Sequence, residues 1–347
     1  MTAGGTGDLA DALWAAVIAG DEQAATDIAL TALDGGIDPE TLLLDVIAPM
    51  QARVGREWAA GRITVAQEHS ATAVNERVIA ALADHPAARR EPRAERPVAV
   101  ACIDGEWHAL PARLVAEVLR LRGRPVDYLG AQVPTRHLIS HLHRTAPAAV
   151  LLSSSIATRL PAAHAAITAC QATGTPVLVG GAAYGPDGRY AALLGADAWA
   201  PDARAAADRL ERAPLPKPPP VHRIIDDLPH LTDQAHAHVT RTAPQLIRHV
   251  LTGLRSRFPE DPDRRDRTAE EISHIVEFFG TALYLDDPDL FTSYMTWAAD
   301  ILAARDVPPQ SLLAVLDLLF EPVADYPRAT RMLVRTRDAL RDRLQTT

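Results

Sequence analysis

A chain of 347 residues with 48% apolar content can bury more than one core, and its length suggests two or three domains. A formal net charge of −9 with no basic stripe argues against nucleic acid as a partner, and no uninterrupted run of about 18 apolar residues is present to span a membrane. Two cysteines, Cys102 and Cys170, cannot form a disulfide framework, and the N-terminus lacks a basic region followed by a long apolar run, so a reduced, cytoplasmic protein is expected.

Apolar residues recur at helical spacing from Leu9 to about Ala83, as in Leu9, Leu13 and Val17, and then Leu42, Leu43, Val46 and Ile47. Stops at Gly20, Gly35–Gly36 and Gly61 divide this stretch into four helices, a bundle over residues 8–85. The fourth helix has a legible start, because Thr64 and Gln67 form a capping box in which each side chain satisfies an orphan backbone N–H. The polar stretch from His85 to Arg96 reads as a linker. Residues 97–212 then alternate short apolar runs with amphipathic segments, the pattern of βαβ units on a five-stranded parallel sheet, a flavodoxin-like, doubly wound domain. The proline run within residues 213–224 is a semi-rigid spacer. Residues 225–347 read as entirely helical, with stripes such as Leu246, Val250 and Leu254 or Ile272, Ile275, Phe279 and Leu283.

In an open α/β sheet the ligand site lies beyond the carboxyl ends of the strands. The first strand runs into Asp104, Gly105, Glu106, Trp107, His108, Ala109, Leu110 and Pro111. An imidazole in this loop can project outward to a metal while a nearby carboxylate orients its other nitrogen, with Glu106, or failing that Asp104, as the partner. Taken alone, His108 reads more readily as an ordinary loop histidine.

Three short patterns resemble those of cobalamin-binding domains: Glu106-x-His108, the serines Ser153, Ser154 and Ser155 after the third strand, and Gly180–Gly181 after the fourth. The resemblance implies that His108 is the lower axial ligand of cobalt. It also implies that the small Ser and Gly residues leave a slot for the nucleotide tail, lined by Tyr128, Leu129 and Gly130, and that Trp107, Ala109 and Leu110 lie at the cofactor. Glu for Asp at 106, Pro111 in place of a Gly, and Ile156 in place of a Leu depart from the family pattern. Within the bundle, Trp58 followed by Glu68–His69 resembles the adenosylcobalamin photoreceptors of the light-responsive transcription-factor type, with Val65 on the same helix end. In that family the Trp covers the adenosyl group while the Glu and His hold the ribose and the cap. The residue after the Trp, often a His that takes the upper position in the light, is Ala59 here, which rules out a bis-His light state through that position.

The bundle begins within about eight residues of the N-terminus, so a winged helix-turn-helix ahead of it is not expected. The C-terminal region looks like non-haem globin-like sensor modules, and the combination resembles photocobilins, in which a cobalamin unit is joined to a helical domain holding biliverdin. Without a Cys after residue 212, a bilin there would be held non-covalently. Arg248, His249 and His274 are the residue types that suit its propionates, and Tyr284 and Tyr294, with Phe278 and Trp297, suit its rings. His230, His236 and His238 could suggest a metal, but helix-start positions are the simpler reading. The expectation is a light-sensing, non-catalytic protein that changes its homo-oligomeric state, or its surface toward a separate effector, on loss of the adenosyl group. The rivals are a corrinoid carrier protein of a methyltransferase system, and a sensor whose C-terminal domain holds haem or nothing.

Overall fold

The computed structural model describes residues 3–218, 232–257, 265–305 and 307–346. It divides into two compact units, residues 1–222 and 223–347.

The first unit opens with four helices, α1 (Ala3–Ala19), α2 (Glu22–Asp34), α3 and α4 (Val65–Asp84). α3 is composite: a turn at Pro39–Thr41, a π-helical stretch Leu42–Ile47 and the α-helix Ala48–Ala59. The wide turn has a local cause. Pro49 has no N–H, and its ring would collide with the carbonyl four residues back. Widening the preceding turn, with Ala48 N–H donating to Leu43 O, lets the helix continue through it. At the start of α4 the Thr64–Gln67 capping box is present as expected.

Next come β1 (Val98–Cys102), α5 (Ala109–Leu121), β2 (Val126–Gly130), α6 (Thr135–Thr145), β3 (Ala149–Ser153), α7 (Leu160–Ala172), β4 (Val177–Gly180), α8 (Arg189–Leu193), β5 (Ala198–Ala200) and α9 (Ala203–Arg212). The five strands are parallel in the order β2-β1-β3-β4-β5, so the chain reverses its direction of winding between β1 and β3. Both of those strands are buried along their whole length, which is why they read as continuous apolar runs. Cys102 pairs with Ser153 and Ser153 with Gly180, so the ends of β1, β3 and β4 stand abreast and their following loops are neighbours.

One apolar core joins the bundle to the face of the sheet that carries α5 and α9, with Leu42, Val46, Ile79, Val100, Leu119 and Leu210 among its members. A half-buried ionic clamp adds direction to this packing. Arg122 meets Glu40 at 2.8 Å and Asp208 at 2.5 Å, and Arg204 reaches Glu40 and Asp45. The acids hold the Arg122 guanidinium in its charged form against the opposing effect of burial. Both cysteines are free and buried, and burial pushes each thiol up to about 12, so neither is a ready nucleophile.

Among the described residues of the second unit five helices, α10 (Ala235–Arg257), α11 (Arg265–Leu285), α12 (Pro288–Ala303), α13 (Gln310–Phe320) and α14 (Pro327–Thr346), surround their own core of Phe279, Leu283, Phe291 and Met295. The predicted stripes of α10 and α11 are the residues that face this core. Among the described residues no helix is long and apolar enough to cross a membrane.

Candidate functional site

The loop between β1 and α5 lies at the switch point of the sheet, where an open α/β fold places its ligand. Gly105, at φ 75°, turns the chain, and Glu106 folds back beneath the loop, 1% exposed. One of its oxygens accepts from the His108 backbone N–H at 2.9 Å and lies 2.6 Å from His108 Nδ1. The other accepts from Ser155 N–H at 2.7 Å, Ile156 N–H at 3.2 Å and the Ser154 hydroxyl at 3.2 Å. This carboxylate therefore ties the loop after β1 to the loop after β3. Burial alone would push it up, but the bonds from His108 and Ser155 and the charge of the imidazole outweigh that and hold it at about 2. In turn the Glu106 hydrogen bond raises the His108 pKa despite the opposing effect of burial, with Glu68 of the bundle adding to the rise.

His108 caps the N-terminus of α5 with its side chain 54% exposed. With Nδ1 engaged by Glu106, Nε2 is the nitrogen left to an incoming ligand, the arrangement in which a carboxylate fixes the tautomer of a metal-binding imidazole. Glu106, and not Asp104, is the orienting carboxylate. Beside it Trp107 is 73% exposed. Gly181 follows β4 at φ 102°, and a Cβ there would overlap the Ser154 carbonyl oxygen, so only glycine lets these two loops approach. At Gly130 the conformation is again left-handed, but the space beside it is open.

Other predicted residues sit differently from their expected lining roles. Ser154 is fully buried and spends its hydroxyl on Glu106, so it secures the loop instead of simply leaving room. Leu110 packs into the apolar core, because it falls on the inward face of α5. Tyr128 directs its hydroxyl to the Ala109 carbonyl at 3.4 Å, which turns its ring toward α5. The sequence reading missed Arg159, whose guanidinium lies against Gly105. A basic residue four positions after Ser155 was the available signal.

On the bundle, Trp58 is half-buried in the last turn of α3, Val65 is exposed at the first residue of α4, and Glu68 and His69 follow. His69 Nδ1 is 2.6 Å from Glu68 Oε2, while Glu68 Oε1 accepts from Thr72 at 3.2 Å. Behind it Gln51 donates to Thr72 and accepts from Asn75, both at 2.7 Å, joining α3 to α4.

Residues 9–83 and, separately, residues 96–210 match the B12 binding domain family. This is a cobalamin-binding protein. The chain is 31% identical over 179 residues to the HTH-type transcriptional repressor CarH of Myxococcus xanthus, a match covering 50% of this chain and 57% of that protein. It is 23% identical over 198 residues to the trimethylamine corrinoid protein of Methanosarcina barkeri, covering 56% of this chain and 90% of that one. Its fold is similar to the monomethylamine corrinoid protein of Methanosarcina barkeri, with a TM-score of 0.51 at 20% identity over 59% of this chain and 99% of that one. The donor set fits a corrinoid: one half-exposed imidazole with a fixed Nδ1, beside loops whose close approach depends on glycine.

In the second unit Tyr284, Tyr294 and His249, three of the five candidate bilin residues, each meet a different neighbour. Tyr294 stacks on Phe278 with ring centroids 3.8 Å apart, and Trp297 follows at 6.0 Å from Tyr294. Tyr284 meets His236 edge-on at 4.9 Å. His249 lies 3.9 Å from Glu321, and Arg248 and His274 are exposed. His236 and His238 bond to the carbonyls of Gly280 and Pro322, His230 lies outside the described residues, and no group of three metal-ligating side chains occurs among the described residues.

Proposed function

We propose that this protein is a light sensor that binds adenosylcobalamin, with His108 as the lower cobalt ligand and the bundle covering the opposite face. When bound, that cofactor supplies a cobalt–carbon bond that visible light breaks. The protein's part would be to hold the cobalt through His108, whose orientation Glu106 fixes, and to shield the adenosyl group with Trp58, Glu68 and His69. What supports the reading is the 31% identity over 179 residues to the CarH repressor, together with a half-exposed imidazole, His108, whose Nδ1 is engaged by Glu106 so that Nε2 is left to a ligand. Loss of the adenosyl group removes contacts made with the bundle, and the resulting shift is limited by the difference between those contacts in the two states. A changed homo-oligomeric state, or a changed surface toward a separate effector, is the proposed output, with no reaction catalysed by the chain.

The same reading gives the second unit a globin-like role as a non-covalent biliverdin holder, with the stacked Phe278 and Tyr294 and the 46% exposed Trp297 as its aromatic wall. A corrinoid carrier for methyl transfer is the second reading, favoured by a match that spans 90% of the trimethylamine corrinoid protein.

Reconstitution in the dark with adenosylcobalamin, followed by green light, separates the two. The sensor reading expects a spectral change together with a change of size on gel filtration, and an unaltered spectrum under light sinks it. His108→Ala is expected to abolish the base-off, protein-ligated spectrum while leaving the fold intact. Biliverdin titration with absorbance at long wavelength tests the second unit separately.

A further inference from the structure

We infer that the first unit has a second ligand site, at the opposite end of α5 from His108, that takes a small organic anion with an apolar body. A cleft of about 750 Å3 opens there between α3 and α4 of the bundle, the linker before β1 and the C-terminal half of α5. This volume lies within the range of sites for drug-sized molecules, roughly 300–1,000 Å3. Its floor is apolar, formed by Leu43, Ile79, Leu82, Leu121 and Val126.

The walls decide the sign of the occupant. Five arginines, Arg89, Arg90, Arg113, Arg120 and Arg124, face three carboxylates, Asp84, Glu91 and Glu117, and Glu95 pairs with Arg124 at 3.1 Å, leaving a surplus of one positive charge in a chain whose net charge is −9. Glu117 is buried and already committed to both Arg113, at 2.7 Å, and Arg120, at 2.8 Å. Arg124 is likewise committed, to Glu95 at 3.1 Å and to the Leu210 carbonyl at 2.7 Å. At the rim the exposed Arg89 side chain has no partner among the described residues. The combination of apolar floor and cationic rim selects an amphipathic anion, such as a nucleoside monophosphate or an aromatic carboxylate, over a bare inorganic ion.

The test uses the full chain loaded with hydroxocobalamin, so that the first site is filled, and titrates 1-anilinonaphthalene-8-sulfonate, a sulfonated aromatic whose fluorescence rises on burial. One saturable site is expected, displaced by AMP or by 1-naphthoate and not by inorganic phosphate at equal ionic strength. Displacement by AMP alone would mark the source as a nucleotide, and by naphthoate alone as a carboxylate. Ala83→Trp, which fills the cleft, is expected to weaken the probe at least tenfold. Arg89→Gln with Arg90→Gln, confined to the exposed rim, is expected to weaken it about threefold whether or not the filled variant folds. Unchanged probe affinity in the rim variant, or displacement by neither organic anion, overturns the inference. Cobalamin uptake is read independently from the visible spectrum, so failure there would count against the proposed function and leave this site to its own result.

Discussion

The loop that carries His108 and the helix end that carries His69 offer the same side chain in opposite settings. Beneath His108, Glu106 is 1% exposed and accepts from two backbone N–H groups of the β3 loop, a serine hydroxyl and the imidazole's own backbone. His69, 76% exposed, has only the adjacent Glu68 beside it, and that carboxylate is shared with Thr72. The loop histidine is fixed by tertiary hydrogen bonds, whereas the histidine at the bundle end stands on an exposed surface, a contrast that suits the roles proposed for them. A coordinate bond needs its donor placed in advance; a cap that responds to the loss of a ligand needs contacts that the ligand itself supplies.

The strongest way to break this contrast is Glu106→Ala. It leaves the N–H groups of Ser155 and Ile156 and the Ser154 hydroxyl buried without an acceptor, and loss of a buried charged hub costs on the order of 4 kcal/mol. Denaturant unfolding of the cobalamin-free full chain measures it, and a loss below about 1 kcal/mol would mean that Glu106 is not the keystone of the loop. The pH dependence should be nearly as large. Glu106 is held at about 2 when folded against an ordinary value of 4.5, so its contribution is complete above pH 4.5 and disappears as the pH falls toward 2. That shift corresponds to about 3 kcal/mol. The raised His108 pKa reflects the same interaction and is counted once. Glu106→Gln should flatten the stability curve in that window, and curves of equal slope would refute the assignment. Gly181→Ala, forced into a left-handed conformation against the Ser154 carbonyl, should cost about 2 kcal/mol in the same unfolding experiment. At the bottom of the scale, His69→Ala should change stability by less than about 0.5 kcal/mol, the range for exposed sites. A larger loss would show that the bundle end is fixed in its own right.

Much of this contrast was legible in advance on one side only. Glu106 was favoured over Asp104 because it stands two residues from His108, a local relation that the loop preserves. The identity of the donors to its second oxygen was not legible, because Ser155 and Ile156 lie some fifty positions away and arrive only through the register of Cys102 with Ser153. Ser154 was read as a small residue leaving room; its hydroxyl instead donates to the carboxylate. Leu110 sits in the same run as His108, yet the 100° turn per helical residue sends it inward. In the second unit the aromatic and basic candidates were chosen by type alone, and helix packing distributes them among different neighbours.

By itself the sequence determined the elements and their order: a helical bundle from 3.6-residue periodicity, a parallel sheet from alternating apolar runs and amphipathic segments, and a helix start from the Thr64–Gln67 box. It also placed an imidazole after the first strand, since strand ends and helix caps are set by neighbours a few residues apart. Only the tertiary structure decided that a carboxylate beneath that imidazole would be buried and held by a second loop, that Arg122 would clamp the bundle to α9, and that five arginines would gather around one cleft. Those outcomes depend on strand register and helix packing, which bring together residues whose separation along the chain carries no local signal.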